Sequence, residues 1–269
     1  MALNRKRKRS ATTAGIAPVL VAVGALSTVV ALVYLSVSHK PAVYDEHTLC
    51  VVGEPPSSVL AIVIDGTDKI PSVIAQKAIS EINDAVKSAA PNTLVNLYTI
   101  SVGAGARMSP VVSLCKPRDG SGADELIECP GCMETRFKAR FERPVADILD
   151  SLRSAKPAKQ SHILESIKGA VVDSFMSVDA GTRKKLLIVS DLLQNSSFYS
   201  FYAGVPSSED FEAALVSEGI GSMDLLGAEV HFLVVPRQRS ADSFKEVAWF
   251  WRQFLTNQNA GLGSTWEPL

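Results

Sequence analysis

Four apolar runs punctuate the chain after residue 57, and two of them stop at an aspartate. VLAIVI (59–64) stops at Asp65, and TLVNLYTISV (93–102), KKLLIVSD (184–191) and AEVHFLVVP (228–236) follow it. Continuous runs of this length, rich in branched side chains, predict strands buried on both faces. Between them the period changes from strand-like to 3.6. In residues 71–88, Val73, Ile74, Ala78, Ile79, Ile82, Ala85 and Val86 fall on one helical stripe, and Pro71 sits where a first turn tolerates proline. Further helices are predicted over 143–155, 162–178, 207–226 and 240–261. Ser161 stands in a capping position before the second of these, with Glu165 close by. The last helix carries Trp249, Trp251 and Phe254 and stops at Gly261. Two residues apart, Trp249 and Trp251 do not share a helical face. PVVSLCK (110–116) reads as a short strand beside the second core strand.

Strands alternating with helices call for an α/β fold: a doubly wound, mostly parallel sheet with helices on both faces, occupying residues 58–269. Ligands in such sheets bind outside the carboxyl ends of the strands, at the switch point of the strand order. Asp65 and Asp191 both stand at such ends.

The pattern is different at the N-terminus. From Ala11 to Ser38 there is no charged residue, and five consecutive basic residues, Arg5 to Arg9, come just before. This predicts a basic arm (1–13), one transmembrane helix (14–38) and a proline-containing stalk (39–57). The positive-inside rule places the arm in the cytoplasm. The domain then lies across the inner (plasma) membrane, periplasmic or extracellular, with the lipid bilayer as a partner of residues 14–38. A cleaved signal peptide fits less well, because the run is too long and His39-Lys40-Pro41 is a poor cleavage context.

Net charge is −1. Taking the five positive charges of Arg5–Arg9 away leaves −6 for the remainder, so no basic face for nucleic acid is implied.

All four cysteines (Cys50, Cys115, Cys129 and Cys132) follow the apolar segment, as expected of disulfides on an exported domain. Three pairings are open. Local closure within CPGC favours Cys129–Cys132 with Cys50–Cys115. Three of these cysteines cluster in a glycine- and proline-containing insertion, 115–142, which reads as irregular. CPGC also has the spacing of a thiol-disulfide oxidoreductase. That chemistry needs the first cysteine at a helix N-terminus, and METRFKARF after it is not a strongly amphipathic stretch. A zinc site of the four cysteines is less expected on an exported domain. His47, His162 and His231 are isolated, and no Ser/His/Asp set is legible. VGAGAR (102–107) lacks the Lys-Ser/Thr ending of a phosphate loop and reads as a turn. An enzyme is therefore not the expected reading.

Three pieces remain: IDGTDK with Asp65 and Thr67, KQSHILESI with Ser161, and LLIVSDL with Asp191. Two carboxylates and two hydroxyls brought to a sheet edge form an all-oxygen set of the kind that suits Mg²⁺. This order of motifs resembles the von Willebrand factor A-type domain, whose metal-ion-dependent adhesion site reads Asp-x-Ser-x-Ser, then a Thr on a second loop, then an Asp after a later strand. The resemblance covers roughly residues 58–260. It implies metal ligands at Asp65, Thr67, Ser161 and Asp191; Asp68, outside the motif positions, is a further candidate oxygen. The fifth motif position, Ser in the family, is Lys69, whose ammonium opposes a divalent cation.

The resemblance implies protein binding, with a partner's Asp or Glu completing the shell of Mg²⁺. Phe198, Tyr199, Phe201 and Tyr202 follow Asp191 and are candidate contact residues. A third reading is a structural subunit of a membrane assembly, with close helix contact at Gly15, Gly24 and Ala25.

Overall fold

The computed structural model describes residues 16–38, 42–100, 108–123, 125, 128–151, 158–237, 241–261 and 265–269. It divides into two units, Met1–Ala42 and Val43–Leu269. The basic arm at 5–9, Gly15 and the turn at 102–107 lie outside the described residues.

In the first unit, helix α1 (Ile16–Ser38) carries no acidic residue in its first turn and no basic residue in its last. Among the described residues no helix is long and apolar enough to cross a membrane. The apolar side chains of α1 that are described, including Leu20, Val21, Leu26 and Tyr34, are exposed.

The second unit is built on a six-stranded sheet in the order β3-β2-β1-β4-β5-β6. Its strands are β1 (Ser58–Asp65), β2 (Thr93–Ile100), β3 (Val112–Cys115), β4 (Arg183–Ser190), β5 (Glu229–Val234) and β6 (Thr265–Pro268). All neighbours are parallel except β2 and β3. The chain leaves β1 outward through β2 and β3 and returns to β4 on β1's other side. The strand order therefore reverses between β1 and β4.

Alternation along the strands sorts the core into two layers, because successive side chains point to opposite faces. On one face Val59, Ala61 and Val63 join Leu186, Ile188, Val230 and Phe232 under helices α5 (Ile163–Phe175), α6 (Ser208–Ser217) and α7 (Ala241–Asn257). On the other, Leu60, Ile62 and Ile64 meet Leu187, Val189 and Leu233 under α2 (Ser72–Ser88), α3 (Pro130–Phe137) and α4 (Arg143–Ser151). Burial on both faces explains why the central strands read as unbroken apolar runs.

Several expectations change. Val73, placed on the stripe of α2, is exposed; the buried positions are Ala75, Ala78, Ile82 and Val86. The insertion 115–142 is not irregular throughout: α3 begins at Pro130 and runs through a π-helical turn (Lys138–Glu142) into α4. Phe137 and Phe141 are its buried anchors, so tertiary packing supplies what amphipathicity along the segment does not. The fourth expected helix ends at Ser217, before Gly219 and Gly221, both at positive φ. Residues 43–57 pack with the domain, where Leu49 is buried, Tyr44 bridges Val51, and Cys115 N–H donates to Thr48 O. The disulfides are Cys50–Cys115 and Cys129–Cys132, the favoured pairing. Strand β6 has no counterpart in the sequence reading.

Candidate site at the carboxyl edge of the central strands

The reversal of strand order places Asp65, the last residue of β1, beside Ser190, the last of β4. Asp65 is the hub. Thr67 donates to its Oδ1 from both the backbone N–H (3.0 Å) and the hydroxyl (2.5 Å), a compact turn closed two residues on. Ser161 Oγ donates to Oδ2 at 3.0 Å and Ser190 Oγ at 2.9 Å. Asp65, Thr67, Ser161 and Ser190 are all buried.

Each donor is positioned from elsewhere in the chain. Ser161 is not a helix cap. Its backbone exchanges two hydrogen bonds with Asn195, which turns its hydroxyl toward β1, while His162 takes the N-cap position without a side-chain bond to the helix backbone. The start of α5 is capped from a distance instead. Gln194 Oε1 accepts from Leu164 N–H at 2.9 Å, and Gln194 Nε2 donates to Glu165 and to Ser196. After β4 the chain bends through Leu192, which has a φ of 65°. Ser190 Oγ accepts from Leu192 N–H, Asp191 Oδ1 accepts from Leu193 N–H, and Trp251 Nε1 donates to Leu192 O, all at 2.9 Å.

Asp191 faces a different partner. Arg237, three residues beyond Val234 at the end of β5, donates from Nε to Asp191 Oδ2 at 2.7 Å, and its guanidinium also pairs with Asp68. The Asp191 side chain is only 6% exposed. Burial pushes its carboxyl upward, with the charge of Asp65 adding to the rise, against the Leu193 N–H and Arg237. Asp65, Asp68, Lys69, Ser190, Asp191 and Arg237 line one open cavity of about 280 Å³, together with Ile70, Pro71, Val235 and Pro236.

The donor atoms suit a hard cation in kind. Their arrangement does not. A carboxylate has about four lone-pair positions, and four donors already engage Asp65. One oxygen of Asp191 holds a guanidinium and the other a backbone N–H. Asp68 is paired with the same guanidinium, and Lys69, exposed, lines the cavity. Among the described residues no group of three His, Cys, Asp or Glu side chains is placed to hold a metal ion. As they stand, these residues do not fit Mg²⁺.

The structure thus brings Asp65, Thr67, Ser161 and Asp191 to one edge, with Asp68 at its rim. Sequence reasoning missed two members. Ser190 was legible as the hydroxyl just before Asp191 at a strand end. Arg237, just past the VVP that closes the fourth apolar run, stood at the end of the neighbouring strand.

The expected aromatic contact surface is largely core. Phe201 is fully buried, edge-on to Phe250 at 5.0 Å. Phe198 and Tyr199 are half-buried against Phe211. Only Tyr202, 54% exposed, faces outward.

At CPGC, Cys129 caps α3, and its Sγ accepts from Cys132 N–H at 3.3 Å. Both residues are exposed. The helix-start context that the sequence seemed to lack is therefore present.

No protein-family model matches the chain, and no curated protein matches it.

Proposed function

We propose that the chain is a membrane-anchored protein-binding module with a von Willebrand A-like domain, which meets its partner at the carboxyl edge of β1 and β4. The observation that carries this is the convergence of Asp65, Thr67, Ser161 and Asp191, from three separated segments, on the point where the strand order reverses. Open sheets of this class recognise ligands there. The order of elements, including the short antiparallel β3, is consistent with the same reading. The contact chemistry is hydrogen bonding and ion pairing from Lys69, Asp68 and Arg237, which line the 280 Å³ cavity, together with the exposed Tyr202.

The anchor is residues 14–38. Its support is the uncharged stretch Ala11–Ser38 behind Arg5–Arg9, which favours a cytoplasmic arm and a periplasmic or extracellular domain. Two disulfides are consistent with an oxidising compartment.

Two measurements test the proposal. The full chain should stay with membranes through alkaline extraction, and residues 43–269 alone should not. A photo-crosslinking side chain at Tyr202 should trap one discrete partner in those membranes, while the same group at Arg183, at the opposite end of β4, should not. Equal labelling from both positions rejects the carboxyl-edge interface.

One observation favours a second reading, a thiol-disulfide exchange site at Cys129–Cys132. An exposed cysteine capping a helix has its thiolate favoured by the helix N-terminus. A thiolate of a partner dithiol would attack the disulfide and form a mixed disulfide. The partner's second thiol would then resolve it, leaving Cys129 and Cys132 as thiols and the partner as a disulfide. Insulin reduction by a thiol donor, abolished in Cys129→Ser, is the expected result; equal rates in the variant and the wild type reject it.

A further inference from the structure

We propose that Arg237 is the resident counter-ion of the carboxyl-edge site, standing in for the divalent cation that such oxygen donors otherwise attract. The inference rests on the von Willebrand A-like reading, from which the comparison with a metal site comes. Its own ground is the geometry around Arg237. The guanidinium reaches Asp191 Oδ2 at 2.7 Å and Asp68 as well, joining the β4 and β1 loops at the rim of the cavity. The Asp191 side chain is almost covered, and a carboxylate out of water is costly unless it is paired. Arginine suits this place because its planar fork serves two carboxylates at once and stays charged at any pH the protein meets.

Asp65, Asp68 and Asp191 carry three negative charges, against Lys69 and Arg237. Together these charges sum to −1 without any ion. A divalent cation added to it would meet two fixed positive charges within the same cavity. The hydroxyls of Thr67, Ser161 and Ser190 have a use in this arrangement: they satisfy Asp65, which Arg237 does not touch. The site is therefore split, with Asp65 held by hydroxyls and Asp191 held by a guanidinium. Arg237 acts as a positioning residue, holding the loop after β4 against the loop after β1.

Removing the guanidinium should reverse the preference. In Arg237→Gln, Asp191 and Asp68 lose their cation and become available to a hard metal.

The test uses the full chain in detergent, with Mn²⁺ and Mg²⁺ as the only ligands. Free Mn²⁺ is followed by its paramagnetic signal, and thermal unfolding is followed with metal or with chelator. The wild type should leave the Mn²⁺ signal unchanged and unfold at one temperature in both conditions. Arg237→Gln should unfold at a lower temperature in chelator, take up about one Mn²⁺, and recover stability with metal. Its affinity should exceed the wild type's by on the order of tenfold or more. Asp191→Asn added to Arg237→Gln should remove that uptake, and Arg237→Lys should bind no Mn²⁺.

Two results overturn the proposal: Mn²⁺ uptake by the wild type that Asp65→Asn abolishes, or a folded Arg237→Gln that takes up none. The wild-type measurement decides even where the variant folds poorly. No partner enters this experiment, so its failure is separate from failure of the crosslinking at Tyr202.

Discussion

Ser190 Oγ stands 2.9 Å from Asp65 Oδ2 and, as an acceptor, 2.9 Å from Leu192 N–H. One hydroxyl therefore ties the carboxyl end of β1 to the bend that follows β4. Ser190→Ala removes a buried hydrogen bond to a charged group and leaves Leu192 N–H without its acceptor. The expected loss is about 2 kcal/mol, read as a lower midpoint of chemical unfolding with an unchanged slope. A midpoint equal to the wild type's would mean that water reaches Asp65 and that the hub is not closed.

Tyr98 gives the protein a defined alkaline limit. It is fully buried, and its hydroxyl donates to Asp173 Oδ2 at 2.5 Å beside Ser174 Oγ at 2.8 Å. Burial, and then the Asp173 carboxylate, push its ionisation well above the usual phenol value. The charged form is disfavoured only in the folded chain. The contribution of Tyr98 to stability is thus complete below the unfolded value near pH 10. It is lost as pH rises above that, by about 1.4 kcal/mol per pH unit. Tyr98→Phe should flatten this alkaline slope. Ultraviolet titration of the folded protein should show one tyrosine of five that ionises only on unfolding.

The two disulfides differ in what they close. Cys50–Cys115 spans 65 positions and ties residues 43–57 to β3, and Cys115 is fully buried. Cys129–Cys132 spans three positions and is exposed. Mild reductant followed by alkylation and mass spectrometry should label Cys129 and Cys132 first. Replacing Cys50 and Cys115 together by Ala should cost about 2–4 kcal/mol, and replacing the CPGC pair far less, because loop-closure entropy grows with loop length. Equal labelling of both pairs would contradict the burial of Cys115.

Adjacent aromatic residues separate packing from recognition. Phe201→Ala empties a position ringed by Phe211, Phe250 and Trp251, and should cost about 3–5 kcal/mol in unfolding experiments. Tyr202→Ala should leave stability within about 0.5 kcal/mol and lower only the yield of partner adduct from a crosslinker placed at Lys69. A stability loss at Tyr202 as large as that at Phe201 would remove it from the contact surface.

Much of this was legible in advance. The four apolar runs became β1, β2, β4 and β5 because burial on both faces leaves no polar positions to interrupt them. Asp65 and Asp191 declared themselves as strand ends, and Thr67 and Ser161 as hydroxyls in the adjoining loops. The aromatic tract was harder: FYSFY carries no period that tells which rings point inward, and only the packing of α6 and α7 buries Phe201 while exposing Tyr202. Helix α3 and the π-helical turn after it were missed for a similar reason, since Phe137 and Phe141 become buried only within the core layer they share with residues of β1 and β2.

The sequence by itself determined the alternation of strand and helix, the candidate carboxylates and hydroxyls, and the uncharged segment behind a basic arm. Local periodicity and polarity carry these properties, and each is set within a window of a few turns. Only the tertiary structure decided which of those groups meet. Ser190 reaches Asp65 across 125 positions, and Arg237 reaches Asp191 across 46, because β1, β4 and β5 lie side by side. The arrival of Arg237 changed the chemistry of the edge. Oxygen donors that suggest a metal when read one at a time are satisfied together by hydroxyls and a guanidinium. That balance of charge is a property of neighbours in space, which no local pattern along the chain records.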